Sequence, residues 1–227
     1  MSNWFAYHHQ NRQPEMGKQK KPAIFISVSS FFLILLGIGL ILSFLNRRGI
    51  HPLGVINAEH GMLQSGNFHP CVTYWEDEIL NWAGVYDLDP LLIATVMQIE
   101  SCGDPQAISP AGAQGLFQVM PYHFQPGEDP LDPQTNAKRG LAYLHEALQI
   151  ANGDIQLALA GYNGGHGQID RNPANWPDET RRYVHWGYGI YHDAVNENIY
   201  RENLSDWLRA GGSLLCNQAE INQGSHQ

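Results

Sequence analysis

Three features are scarce in this 227-residue chain: cysteine, charge and strand-like patterning. It holds three cysteines and only 15% charged residues. Three cysteines leave at most one disulfide, with one thiol over, and exclude a cystine-framework protein. No HExxH or Cys/His ligand spacing occurs, so His8, His9, His123, His166, His185 and His192 are expected to be scattered surface residues, with no metal and no cofactor. No internal repeat, heptad or phosphate-binding lysine loop is present, and the Gly-rich run from Gly161 to Gly167 is expected to be a turn. Period-two alternation is almost absent, which points to a mostly α domain.

Basic residues are also scarce once the first 48 positions are set aside. Residues 1–48 carry six basic and one acidic residue, whereas the remainder carries seven basic and 21 acidic. A domain with that excess of negative charge does not bind nucleic acid through a basic patch. A polymer ligand would have to be held by hydrogen bonds and ring contacts, which suits a neutral, amide-rich strand.

The one long hydrophobic run is Ala23 to Leu45, uncharged throughout. As a helix at about 1.5 Å per residue it would span roughly 34 Å, enough to cross a bilayer. Arg12, Lys18, Lys20 and Lys21 precede it and Arg47 and Arg48 follow, so the N-terminus is expected inside and the rest outside. The expected organisation is a polar cytoplasmic stretch over 1–22, a transmembrane anchor over 23–45, a linker over 46–70, a helical domain over 71–210 and a flexible tail over 211–227.

Within that domain, helical spacing recurs over Tyr74 to Gly84, Pro90 to Ser101, Pro133 to Ala151, Asp154 to Tyr162, Asp178 to Asn196 and Ile199 to Ala210. Asp89-Pro90, Asp132-Pro133, Asp154 and Pro177-Asp178 are helix-start signals. Glu100 follows Met97, Val96 and Ile93 at spacings of three, four and seven, which sets a carboxyl on an apolar face. Desolvation there disfavours the ionised form, so Glu100 is expected to keep a proton near neutral pH and to act as a general acid. Asp104, Glu128, Asp129 and Asp132 lie in Gly- and Pro-rich loops and read as solvated or capping residues.

Glu100-Ser101, Gly115-Leu116-Phe117-Gln118-Val119-Met120-Pro121 and Ala160-Gly161-Tyr162-Asn163 occur in that order. Together they resemble the motifs of the bacterial lytic transglycosylases with a lysozyme-like catalytic domain, over about Tyr74 to His192. Phe117 stands where methionine is usual, and Gly161 where a second alanine is common. The resemblance implies a lysozyme-like helical fold and cleavage of the peptidoglycan glycan strand, with formation of a 1,6-anhydro ring. It gives Glu100 the role of acid and then base. Ser101, Gln118, Tyr162 and Asn163 take that of binding the glycan, and Tyr183 that of hydrogen-bonding the acid. A hydrolytic muramidase of goose-type-like fold and a silent wall-binding module are the alternatives.

If the first two domain helices form an antiparallel hairpin, Cys71 and Cys102 fall near each other and are the preferred disulfide. Cys216 could instead pair with either of them, and all three could be free.

Overall fold

The structure is a computed structural model that describes residue 63, residues 66–196 and residues 202–224. The expected anchor over 23–45 and the cytoplasmic stretch over 1–22 lie outside the described residues, as does most of the linker. Among the described residues no helix is long and apolar enough to cross a membrane.

The described chain is helical, with two isolated β-bridges and no strands. A single turn, α1 (Pro70–Thr73), leads into α2 (Glu76–Tyr86). Glu76, Asp77 and Glu78 occupy the first turn of α2, where carboxylates meet the positive end of the helix dipole. Helix α3 (Pro90–Glu100) follows. Asp89 caps it by accepting from the Leu91 amide at 2.8 Å, and Pro90 fills the first helical position without wasting a donor. Leu92, Ile93, Val96 and Met97 have no exposed surface, so α3 is the central rod of the core. Each such side chain contributes about 2 kcal/mol of burial free energy.

Helix α4 (Pro133–Ile150), capped by Asp132, packs on α5 (Ile155–Gly164), capped by Asp154. Helix α6 (Asp178–Val195) packs on both α5 and α3. This arrangement brings the C-terminal ends of α3 and α5 beside the first turns of α6. Buried Asn136 on α4 fastens the intervening loops: its amide donates to the Gln114 and Pro130 carbonyls at 2.7 and 2.8 Å, and its oxygen accepts from the Phe117 amide at 2.8 Å.

After α7 (Glu202–Trp207) a π turn over Leu208–Gly212 leads into α8 (Ser213–Gly224). The expected flexible tail is therefore corrected: most of it is an ordered helix with Cys216 and Ala219 buried. The disulfide expectation is corrected with it. The bond joins Cys102 to Cys216, and Cys71 is a buried free thiol. Cys102 lies at φ 53°, so the backbone after α3 reverses and turns its sulfur toward α8. Cys71 and the turn meet through backbone instead. A β-carbon at Gly103 would stand 2.3 Å from the Cys71 carbonyl oxygen, an approach that only glycine permits.

Candidate active site

Helix α3 delivers Glu100 to the floor of an open cleft of about 630 Å³. Much of the remaining lining comes from the loop Ala107–Ala113, from Gln118–Met120, from Arg139, Gly140 and Tyr143 on α4, and from Tyr162 and Asn163 on α5. A smaller recess of about 350 Å³ shares Glu100 and adds Tyr183, Trp186 and Trp207. The acid thus stands where two openings meet.

Burial raises the Glu100 pKa to about 8, with the nearby carboxylate of Glu179 adding to the rise. The Tyr183 hydroxyl donates to Glu100 Oε1 at 2.8 Å and opposes part of that rise, because a donated hydrogen bond favours the ionised carboxylate. No lysine or arginine is hydrogen-bonded to Glu100 among the described residues. Tyr183 stacks on Tyr162 with ring centres 6.5 Å apart. Burial holds both phenols well above the ordinary tyrosine pKa, with the neighbouring Glu100 as the next cause, so they stay neutral hydrogen-bonding groups.

Gln118 adopts φ 46°, and its amide nitrogen is committed to the Ala107 and Gly115 carbonyls at 3.2 and 3.0 Å. Its carbonyl oxygen is left as the acceptor on the cleft wall. Tyr162 donates to the Phe117 carbonyl at 2.7 Å, tying α5 to the same loop. Asn163 lines both openings, and no hydrogen bond to its side chain occurs among the described residues. Glu100, Gln118, Tyr162 and Asn163 are therefore brought together around the main cleft, and Tyr183 joins Glu100 and Asn163 in the adjoining recess.

Ser101 is not with them. It is buried, donates to the Leu116 carbonyl at 2.8 Å and accepts from the Gly103 amide at 3.1 Å, so its hydroxyl is engaged internally and lines neither opening. At φ −137° it has left the helix, which aims its hydroxyl behind the acid into the loop that carries Gln118.

Several lining residues escaped sequence reasoning. Glu179 stands one turn before Tyr183 on α6, exposed at the edge of both openings. Arg139 and Tyr143 share one face of α4 at a spacing of four, a signal that could have revealed them. Arg139 forms a paired hydrogen bond with Glu128 at 2.8 and 2.6 Å, anchoring the loop 122–132 to α4. That pairing, with a bond from the Gln125 amide, holds the Glu128 carboxyl down at about 2. Glu128 is thus a loop anchor, not a second acid. Tyr122, His123, Tyr143 and His166 stand in a continuous row of ring contacts, with centres 4.6, 5.1 and 4.1 Å apart along it.

Among the described residues one His/Cys group comes close enough to hold a metal ion, formed by His69, Cys102 and Cys216. Its two sulfurs are bonded to each other, so it offers no thiolate ligand.

The site is thus a sheltered carboxyl, hydrogen-bonded by a neutral phenol and opening on a groove of amide and ring groups, in a helical domain. Residues 77–184, just under half of the chain, match the transglycosylase SLT domain family, so this stretch is similar to that family. A transglycosylase of Enterobacteria phage PRD1 is 39% identical over 111 residues, covering 48% of this chain and 40% of the phage protein. Membrane-bound lytic murein transglycosylase F of Histophilus somni is 28% identical over 151 residues, covering 55% of this chain and 31% of that protein. The chain thus spans less than half the length of these relatives. The X-ray structure of an inactive mutant of the lytic transglycosylase Slt from Pseudomonas aeruginosa aligns with a TM-score of 0.43 and 28% identity, over 52% of this chain and 24% of that one.

Proposed function

We propose that the protein cleaves the β-1,4 bond between N-acetylmuramic acid and N-acetylglucosamine in peptidoglycan, leaving a 1,6-anhydromuramic acid end. The observation that carries this reading is the setting of Glu100 at the floor of an open cleft, hydrogen-bonded by Tyr183, with no second sheltered carboxyl lining that cleft among the described residues. Two-carboxylate glycosidases set a nucleophile or base against the acid. Among the described residues the only other carboxylate lining the cleft is Glu179, which is exposed. The substrate then supplies the attacking groups.

In the first step Glu100 gives its proton to the glycosidic oxygen, and the bond from that oxygen to the muramic C1 breaks. The 2-acetamido carbonyl of the same sugar takes up the electron-poor carbon. In the second step the 6-hydroxyl attacks C1, displaces the acetamido oxygen and returns its proton to the Glu100 carboxylate. No water is consumed, and the acid is restored. Tyr183 orients the carboxyl throughout, while Gln118 and Asn163 present amide groups to the acetamido substituents. A lysozyme-like arrangement of the helices and anchoring of the domain through residues 23–45, with the catalytic part facing the cell wall, belong to the same proposal.

A hydrolytic muramidase is the second reading, favoured by the position of Glu179 at the cleft edge, from which a carboxylate could activate water. Mass spectrometry of products released from isolated sacculi separates the two. Anhydro ends, each lighter by one water than the reducing sugar and abolished by Glu100→Gln, support the transglycosylase. Reducing ends support the hydrolase, and binding without products supports a wall-binding module.

A further inference from the structure

Trp186, Trp207, Ala210 and Leu215 line the two openings, yet all lie beyond residue 184, where the family match ends. Leu215 is the one that faces the main cleft with Glu100. It is 40% exposed, whereas its neighbour Cys216 is 1% exposed. Adjacent helical positions are turned about 100° from each other, so Leu215 stands at the border of the buried face of α8, where a side chain can reach over a rim.

Of the ties that hold α8, three end on the turn that follows Glu100, while others run to the Cys71 carbonyl and to His69. The first is the Cys102–Cys216 bond. In the second, Asn222 donates to Asp104 at 2.7 Å, and in the third, Gln223 donates to the Gly103 carbonyl at 2.9 Å. The position of Leu215 is therefore coupled to the turn that terminates the helix bearing the acid. Ile108, Pro110 and Ala111 line the same cleft, and with Leu215 they make a set of lining residues without charge or hydrogen-bonding side chains. Such groups suit the acetamido methyls and ring C–H faces of a neutral N-acetylated sugar strand.

We propose that α8 is a wall of the cleft, that Leu215 contacts the sugar strand, and that the Cys102–Cys216 bond holds this wall in place. This rests on the glycan reading given above. The wall favours N-acetylated over N-deacetylated strands, since removal of the acetyl group deletes a methyl and adds a cation.

The test uses the full chain and its Leu215→Ala, Leu215→Asp and Cys102→Ser/Cys216→Ser variants, with KM and kcat measured on sacculi. Binding of a neutral N-acetylglucosamine hexamer is measured by calorimetry in the Glu100→Gln background. Leu215→Ala is expected to raise KM about tenfold with kcat within about twofold. Leu215→Asp should raise it further and weaken hexamer binding, and the alkaline limb of the pH profile should stay in place. The double serine variant should move KM in the same direction; if it does not fold, the two Leu215 variants decide alone. Unchanged KM and hexamer affinity in both Leu215 variants overturn the proposal. So does a loss confined to kcat with a displaced pH limb, which would make α8 a support of the acid. A wild-type chain that binds the hexamer but releases nothing from sacculi overturns the cleavage reading alone, and the wall is then judged by the binding arm.

Discussion

The hydroxyl of Tyr183 meets Glu100 at 2.8 Å, joining the first third of α6 to the last residue of α3 through one neutral hydrogen bond. A phenol can orient the carboxyl whether it is protonated or ionised. A cation in the same place would have stripped its proton permanently. The relationship fixes what the acid can do and how it responds to pH.

Replacing Glu100 with Gln removes the proposed proton donor and should lower kcat on sacculi about a thousandfold. The same variant reports on stability. Glu100 is raised from 4.5 to about 8, so its stabilising protonated form is fully present below pH 4.5 and is lost as pH rises toward 8. The melting temperature of Glu100→Gln relative to wild type should therefore climb across that window. A difference that stays flat with pH would contradict the raised pKa.

Tyr183→Phe deletes a hydrogen bond that favours the ionised carboxylate. The alkaline limb of the rate profile, which marks deprotonation of the acid, should move to higher pH. kcat should fall about tenfold because the carboxyl loses its orientation. A limb moving to lower pH would show that the phenol acts otherwise.

Ser101→Ala separates the internal role of Ser101 from a ligand contact. Loss of the bonds to Leu116 and Gly103 should destabilise the domain by about 1–3 kcal/mol in denaturant unfolding. Hexamer affinity should change little at temperatures where the variant remains folded. A selective loss of affinity without loss of stability would restore the expected substrate contact.

Gly140 lies under the cleft wall, and a β-carbon there would stand 2.6 Å from Phe117 Cβ and 3.2 Å from the Tyr162 hydroxyl. Gly140→Ala should cost about 1–3 kcal/mol through overpacking. It should also lower activity by pushing Tyr162 off the Phe117 carbonyl. Thermal unfolding and product release measured on the same preparation check both halves.

Much of this was legible in the residues because local rules carry it. Asp89, Asp132 and Asp154 each cap the helix they were expected to start, and the apolar period of α3 placed Glu100 on the greasy side. What escaped depends on distant parts of the chain. Cys102 and Cys216 are 114 residues apart, and a left-handed turn decides which way Cys102 points. The helix over Ser213–Gly224 was missed because its periodic signal is weak: only Cys216 and Ala219 are buried in it, and its stability comes from the ties to residues 102–104. The internal bonds of Ser101 were not legible for the related reason that a motif fixes identity and order but not the direction of a hydroxyl at a helix end.

The 114-residue gap within the disulfide also bears on how the chain is made. Synthesis proceeds from the N-terminus, so Cys102 waits through that whole interval before Cys216 exists, with Cys71 as its only earlier companion. In the finished fold Cys71 is buried as a free thiol, so the pairing that persists is the one with the later sulfur.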